Sequence, residues 1–452
     1  HYAAFSNCAG GYTGTCDTGD FPLHPLPRRG TVYVASNGGM LHAFETDVNN
    51  DPYYQIAGIS TLETSDDNFA GNNAGNGEER WAYIPGIILP NLHKLADDPY
   101  AHRYFVDGSP VAGDICKGNC EGVSDWRSIL VGGLNAGGRG YYALDVTNPQ
   151  APKALWEFKS SATCLTDAEA NSGTYDADCN LGLSYGNPII TKRKVDHKWV
   201  VIVSSGLNNF TPGDGKGYLY ILDAYTGKIL RRISTGVGTE DDPSGLGKIN
   251  GWVNNSALDN TTLAVYGGDM KGNLWKFELD HEKAAYNTAI KLAELKDNNG
   301  DPQPVTTKPE LGLVSGYRAV MVGTGRYLGT DDPDDVSQQT IYAIRDDLSG
   351  VTVNARTETV SQTLAVDPSD DTKRTTTSNN AVDWGSAKGW RVDLPDTGER
   401  VNVDPILQLG TLVVASNVPH EDVCESGGYS FVNYLNFATG KGTSVKLSGA
   451  LI

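Results

Sequence analysis

A recurring pattern of two apolar runs joined by a glycine turn constrains what this chain can fold into. Each run is four to six residues long, and the second run often ends at a carboxylate. The copies occupy residues 31–44, 128–146, 200–227, 262–279, 319–346 and 411–440. One such hairpin cannot bury its own apolar faces, whereas units stacked around a ring bury them against one another. The pattern therefore predicts a β-propeller.

The residues around several hairpins extend them to four strands, which is the size of one propeller blade. Proline-containing segments precede three hairpins, at 107–110, 186–188 and 308–309. Outer strands follow two hairpins, at 154–159 and 228–233, and the fragments 80–85 and 384–394 offer additional strands. We predict an all-β propeller of the quinoprotein-like type, with loop insertions and little helix. Seven blades of about four antiparallel strands is the preferred number, with six and eight as alternatives.

The composition agrees with many short strands and tight turns, since the chain has 53 glycines and 22 tyrosines among 452 residues. The best helical patterns are short and cover residues 91–96 and 281–295. Residues 1–30 are predicted to be an irregular lead-in, and 31–452 a single propeller domain. A chain that opens at His1 with no apolar leader is expected to be a mature form or an excised C-terminal fragment. It has no apolar run of about 18 residues, so no transmembrane segment is predicted.

The net charge of −19 bears on the partners of this protein. An acidic surface repels nucleic-acid phosphates and anionic lipid, so neither is expected as a direct partner. The same charge suits a soluble extracellular protein and the binding of cations.

Six of the seven cysteines fall into three close pairs. The pairs are Cys8 with Cys16, Cys116 with Cys120, and Cys164 with Cys179, while Cys424 stands alone. Close pairs in loops rich in glycine and asparagine predict disulfides formed in an oxidising compartment. A zinc site at Cys116 and Cys120 is the alternative, although no histidine or second pair lies nearby in sequence.

Four insertions interrupt the repeated pattern, at residues 47–79, 116–125, 160–181 and 351–382. Long insertions on a rigid strand scaffold are where such folds usually carry their binding function. The alternative is a tolerated surface loop, because closing a longer loop adds little free energy. For the Thr- and Ser-rich stretch near Thr375, the surface loop is the preferred interpretation.

Two loops carry the alternating oxygen side chains with which proteins wrap calcium. One consists of Asp47, Asn49 and Asp51, and the other of Asp297, Asn299 and Asp301. Both are candidate calcium sites. A polar turn without metal is the alternative for each, since Pro52 occupies the place of the usual glycine in the first loop.

Acidic residues also end several strands, as at Asp145, Asp223 and Asp269. They could be catalytic carboxylates, but turn capping through acceptance of backbone N–H bonds is the preferred interpretation. The glycine-rich stretch 132–140 lacks the Lys-Ser/Thr of a phosphate-binding loop, so it is expected to be a hairpin turn.

One long string is far more specific than any hairpin, namely WAYIPGIILPNLHKLADDPYAHRYFVDGSPVAGD at residues 81–114. It resembles the C-terminal domain of the PilY/PilC family of type IV pilus biogenesis factors and pilus-tip adhesins. WRSILVGGLNAGGRGYYALDVTNP at 126–149, YGGDMKGNLWKF at 266–277 and VGTGRYLG at 322–329 fit the same family in the same order.

The resemblance implies a non-enzymatic function in pilus biogenesis. A member of this family promotes pilus assembly against retraction and supports adhesion and twitching motility through protein–protein contacts. Minor pilins, the pilus fibre and a host-cell receptor are the partners implied, with calcium as a modulator. The implied location is extracellular and pilus-associated after export through the periplasm of a Gram-negative bacterium, with the outer membrane as an alternative.

The calcium loop of the family is a D-x-D-x-D-G-x-x-D stretch just before the Y-x-G-D motif. The corresponding positions here are Asn255, Ala257, Asp259, Asn260 and Leu263. The side chains of Ala257 and Leu263 cannot coordinate a metal, so calcium is not expected at the family position.

Two other functions compete with the pilus hypothesis. YYALDVTNPQAPKALWEF and LYILDAYTGKIL resemble repeats of pyrroloquinoline-quinone dehydrogenases, which are also propellers. Those enzymes often carry a disulfide of adjacent cysteines over the quinone, and this sequence has no adjacent cysteines. A periplasmic assembly scaffold is the other alternative.

Overall fold

The computed structural model describes residues 30–45, 77–118, 120–255, 258–367, 369–419, 428–442 and 449–451. Three of the sheet units in these residues lie in the N-terminal half. The first contains β1 (Thr31–Ser36), β2 (Met40–Glu45) and β3 (Glu79–Tyr83). The second contains β4 (Val111–Cys116), β5 (Trp126–Gly133), β6 (Gly140–Asp145) and β7 (Lys153–Lys159). The third contains β8 (Ile189–Lys192), β9 (Trp199–Ser204), β10 (Tyr218–Asp223) and β11 (Ile229–Ser234).

The C-terminal half holds three further units and the strands that connect them. The fourth unit contains β12 (Ile249–Trp252), β13 (Ala264–Gly268), β14 (Asn273–Glu278) and β15 (Thr288–Glu294). The fifth contains β16 (Glu310–Val314), β17 (Tyr317–Gly323), β18 (Thr340–Asp346) and β22 (Gly389–Asp393). The sixth contains β23 (Ile406–Gln408), β24 (Thr411–Pro419), β25 (Gly428–Asn436) and β26 (Gly449–Leu451).

Three strands from the insertion 351–382 join these units. They are β19 (Val353–Asn354), β20 (Val360–Asp367) and β21 (Asp370–Thr376). β19 pairs in parallel with β15, while β20 pairs in parallel with β22. β21 pairs with both β20 and β26, so the fifth and sixth units share one ten-stranded sheet. The insertion thus connects two units, and the surface-loop interpretation of the stretch near Thr375 was wrong.

Helix is scarce in the described part of the chain, as predicted. The α-helices are α1 (Leu89–Leu92), α2 (Asp167–Ala170) and α3 (Ala355–Glu358); the 3-10 helices span Gly86–Ile88, His93–Ala96, Val123–Asp125 and Asp332–Asp334. The helical pattern at 91–96 is confirmed, but the one at 281–295 was wrong, because β15 pairs with β14 there. Among the described residues, no helix is both long and apolar enough to span a bilayer.

The hydrophobic core is divided among the junctions between consecutive units. In β5, Ile129 and Val131 belong to a cluster shared with the third unit, whereas Leu130 belongs to a cluster shared with the first. β9, β13 and β17 divide their residues between two neighbours in the same way. Because successive side chains of a strand point to opposite faces, one strand can supply two junctions. This packing explains why an isolated hairpin would not be stable.

Glycines allow the loops at one edge of these sheets to pass close to each other. A Cβ atom at Gly137 would lie 1.8 Å from the carbonyl oxygen of Phe105, and one at Gly206 would lie 1.8 Å from that of Leu183. The stretch 132–140 is therefore part of a hairpin whose turn packs against neighbouring backbone, as expected from the sequence.

The all-β propeller class is confirmed, whereas the number of blades is not. Six units occur in the ranges that the structure describes, and the preferred number of seven stays a prediction. The proposed division into a lead-in at 1–30 and a propeller at 31–452 is also untested, since residues 1–29 lie outside the described ranges.

Candidate functional site

The acidic residues that end strands cap turns, as the sequence indicated. Asp145 Oδ1 accepts a hydrogen bond from the backbone N–H of Thr147 at 2.9 Å. Asp223 Oδ1 accepts one from the N–H of Thr226 at the same distance. These carboxylates satisfy backbone donors of their own turns.

Asp269 makes a more extensive cap inside the fourth unit. Its carboxylate accepts bonds from the backbone N–H groups of Lys271 and Asn273, both at 2.9 Å, and from Trp275 Nε1 at 2.8 Å. Burial raises the pKa of Asp269, while these donors favour its charged form. Both oxygens bind groups of the same hairpin, so the residue holds the turn of the Y-x-G-D motif.

The predicted calcium loop at Asp297, Asn299 and Asp301 forms a compact turn. Asp297 Oδ1 accepts bonds from the backbone N–H of Asn299 at 2.8 Å and of Asp301 at 2.9 Å. Gly300 provides the left-handed backbone of the turn, with φ of +93°. Three side chains supply fewer oxygens than the six to eight that calcium takes. Within the described residues, no group of three or more His, Cys, Asp or Glu could hold a metal ion, and calcium at this loop stays a prediction.

The other calcium candidate and two cysteine predictions cannot be placed. Asp47, Asn49 and Asp51 lie outside the described residues, as do the pair Cys8 and Cys16 and the single Cys424. These interpretations stay predictions.

At the loop that corresponds to the calcium-binding stretch of the family, a lysine side chain lies next to the carboxylate of Asp259. Lys192 Nζ, on β8 of the third unit, lies 2.8 Å from Asp259 Oδ1. The hydroxyl of Thr261 donates to the same oxygen, and the carbonyl of Asn260 accepts a bond from the Lys192 backbone N–H. The ammonium of Lys192 lowers the pKa of the Asp259 carboxyl. These residues do not fit a calcium ion, because the carboxylate is already bound by the chain's own donors.

Two of the predicted disulfides are present. Cys116, the last residue of β4, is bonded to Cys120 in the loop that follows, which removes the zinc alternative. Cys164 is bonded to Cys179 and closes the insertion 160–181, which we call the first anchored insertion.

A buried arginine also fixes the first anchored insertion to the third unit. Arg232 Nη1 on β11 lies 2.6 Å from Asp178 Oδ2, and its Nη2 lies 2.8 Å from Asp167 Oδ1. Tyr220 donates its hydroxyl to Asp178 at 3.0 Å. Burial, together with the Asp178 carboxylate, raises the pKa of Tyr220 well above its usual value. Thr166 caps α2 through a capping box with Glu169, which orders the segment that carries Asp167.

The second anchored insertion, residues 351–382, is also held by a buried arginine that pairs with carboxylates. Arg374 on β21 is fully buried and binds Glu399 and Asp396, with Nη2 at 3.0 Å from Glu399 Oε2 and 2.7 Å from Asp396 Oδ2. Its guanidinium lies 3.4 Å from the ring centroid of Phe431 on β25. The arginine therefore joins the insertion to the loop between β22 and β23 by charge, and to the sixth unit by cation–π contact.

The anchoring pairs were missed by the sequence interpretation. Arg232 and Asp178 are 54 residues apart, and no local motif connects them. Two adjacent arginines inside the apolar strand ILRRIS are the one signal that could have indicated a buried charge in β11. The two anchored insertions are the strongest candidates for an interaction surface, because their backbones are fixed while their turns remain exposed.

Comparison with known proteins identifies what this architecture is similar to. The family model described as the PilY1 beta-propeller domain matches residues 24–378. A type IV pilus biogenesis factor PilY1 homolog of Xylella fastidiosa is 31% identical over 438 residues, covering 90% of this chain and 26% of that protein. The type IV pilus biogenesis factor PilY1 of Pseudomonas aeruginosa strain PAO1 is 29% identical over 462 residues, covering 91% of this chain and 35% of that protein.

A solved structure of a PilY1 domain is also similar to this chain. The crystal structure of the Pseudomonas aeruginosa PilY1 C-terminal domain superposes with a TM-score of 0.65 at 27% sequence identity, covering 92% of this chain and 80% of that chain. The present chain spans about a quarter to a third of the length of the two curated relatives.

Proposed function

This chain belongs to the PilY1 β-propeller family, and on that premise we propose that it is the propeller region of a type IV pilus biogenesis factor. The match of the family model over residues 24–378 is the observation that carries the proposal. The names of the relatives and the superposition on a PilY1 C-terminal domain support it.

The proposed mode of action is protein–protein contact that promotes pilus assembly and counters retraction. Two insertions held by buried arginines support this, because a surface with a fixed backbone loses little conformational entropy on binding. Minor pilins and the pilus fibre are the proposed partners, and a host-cell receptor is the proposed partner in adhesion. The protein would accordingly be exported and associated with the pilus of a Gram-negative bacterium.

We propose no catalytic role for this region. The strand-end carboxylates Asp145, Asp223 and Asp269 cap their own turns, which supports a structural use of these residues. Mixing the purified chain with pyrroloquinoline quinone, alcohols and a redox dye should give no dye reduction above the rate without protein. Steady reduction that depends on the chain would favour the dehydrogenase alternative.

We propose that calcium modulates the protein only through two loops. One contains Asp47, Asn49 and Asp51, and the other contains Asp297, Asn299 and Asp301. We propose that the described part of the loop at the family position, Asn255 and residues 258–263, keeps its shape without calcium. The Lys192–Asp259 ion pair at 2.8 Å supports this.

A deletion strain tests the proposed function. Removing the gene should abolish surface pili and twitching motility, and pili should return when the retraction motor is also disabled. Complementation with the gene should restore both properties without that second change. Normal piliation and motility in the deletion strain would show that the proposed role is wrong.

A further inference from the structure

A cavity of about 290 Å³ lies at the junction between the third and fourth units. Its apolar wall includes Ile202, Ile221, Leu230 and Leu279. The turn between β8 and β9 and the loop between β14 and β15 complete the lining. A cavity of this size with mixed polar and apolar walls is suited to a small organic group.

Positive charge is concentrated in this cavity although the chain as a whole carries −19. Lys192, Arg193 and Arg231 line it together with a single carboxylate, Asp196. Arg193 Nε donates to Asp196 Oδ1 at 3.1 Å, and Lys192 is paired with Asp259 at 2.8 Å. Two of the three cations are therefore already paired.

The guanidinium of Arg231 is the exception. Among the described residues it has no hydrogen-bond or ion-pair partner, and its Nε is buried. Arginine cannot deprotonate in a protein, so its charge stays in place beside the apolar wall. Its two Nη groups are not buried and have no partner among the described residues, so an anion entering the cavity can accept hydrogen bonds from them.

We propose that this cavity binds a carboxylate that carries a short aliphatic chain. The planar guanidinium of Arg231 matches a carboxylate in bidentate geometry, and the apolar wall receives the chain. A monoanion is favoured over a phosphate dianion because Asp196 lines the same space and the surrounding protein is acidic. The carboxylate could belong to a free acid or to the end of a peptide, and the test below separates these sources.

The two walls are fastened to each other, so the site is preformed. Lys194, in the turn after β8, places its Nζ 2.8 Å from Asp280 Oδ1 and 2.7 Å from Glu282 Oε2. Both acids lie in the loop between β14 and β15. A ligand would thus meet a cavity that needs little rearrangement, which favours binding. This inference stands on the cavity and does not depend on the proposed pilus function.

Calorimetric titration of the whole chain with hexanoate tests the proposal. Hexanoate should bind, whereas hexanol at the same concentration should bind at least tenfold more weakly. Arg231→Met should weaken hexanoate at least tenfold, because it removes the charge and keeps the volume. Arg103→Met is the matched control, since this arginine is exposed, lies outside the cavity and gives the same change of net charge.

A second titration separates the two sources of carboxylate. N-acetyl-Gly-Leu with a free carboxylate should bind more tightly than hexanoate if the site takes a peptide end, and more weakly if it takes a free acid. The corresponding peptide amide should not bind. Absence of binding by both acids, or equal affinity of the wild-type chain and Arg231→Met, would overturn the proposal.

Discussion

The two anchored insertions differ in how they are held, although both depend on a buried arginine. The first anchored insertion, 160–181, has the Cys164–Cys179 disulfide in addition to the ion pairs of Arg232. In the described ranges the second, 351–382, has no such crosslink and relies on strand pairing and on Arg374. Arg374 also sits between a buried glutamate and an aromatic ring. The second insertion should therefore be the more sensitive to the loss of one side chain.

The largest effect is expected from Arg374→Met. The change leaves the fully buried Glu399 without its cation, and breaking a buried pair in this way costs about 3–5 kcal/mol. Urea unfolding should show the loss. Lys373→Met is the matched control, because its pairing with Asp370 is exposed to solvent and contributes little to stability. Equal effects of the two substitutions would contradict the anchoring role of Arg374.

Arg232→Met should destabilise the chain by about 3 kcal/mol, at the lower end of the range for a broken buried pair. It leaves Asp178 buried and unpaired, but Asp167 on the other side of the guanidinium is exposed and can be solvated. Limited proteolysis should find new cleavage between Cys164 and Cys179, with the fragments still joined until the disulfide is reduced. A proteolysis pattern identical to that of the wild-type chain would refute this account of the first insertion.

Removing the Cys164–Cys179 disulfide tests how much this crosslink stabilises the chain. Replacing Cys164 and Cys179 together by serine should cost about 3 kcal/mol, from the entropy of a loop with a sequence separation of 15. The same change at Cys116 and Cys120, whose separation is 4, should cost about 2 kcal/mol. Thermal unfolding of the two double variants provides the measurement. A larger loss of stability in the Cys116/Cys120 variant than in the Cys164/Cys179 variant would contradict this explanation. It would show that the entropy of the unfolded chain does not set the difference between the two disulfides.

The smallest effect is expected at the ion pair between Lys192 and Asp259. Lys192→Met should raise the pKa of Asp259 towards its ordinary value and reduce stability by below about 1 kcal/mol, since the pair is partly exposed. Because the folded-state pKa is lowered, this stabilisation is present above the ordinary pKa of an aspartate and is lost as the pH falls through the lowered value. NMR titration of the Asp259 carboxyl measures the shift, and an unchanged pKa in the variant would contradict the pairing.

Calcium addition provides a related test at the remaining candidate within the described residues. If Asp297 binds the ion, millimolar calcium should raise the melting temperature of the wild-type chain more than that of Asp297→Asn. The same experiment with Asp259→Asn should show no difference from the wild-type response. A response that disappears in Asp259→Asn would instead restore calcium to the family position.

The hairpins could be predicted from sequence because their determinants are local. Short apolar runs joined by a glycine turn specify β5 with β6, or β13 with β14, whatever lies elsewhere in the chain. The helical pattern at 281–295 failed because β15 gains ladder bonds from β14, a contribution that local propensity does not include. Arg232 with Asp178 and Arg374 with Glu399 could not be foreseen, since long-range packing alone brings these charges together.

Binding of the purified chain to purified minor pilins tests most directly whether this propeller acts through protein contacts in pilus assembly. Biolayer interferometry should show saturable binding that weakens when the chain carries Arg374→Met and persists with Lys373→Met. No binding of any minor pilin by the folded wild-type chain would contradict that central claim.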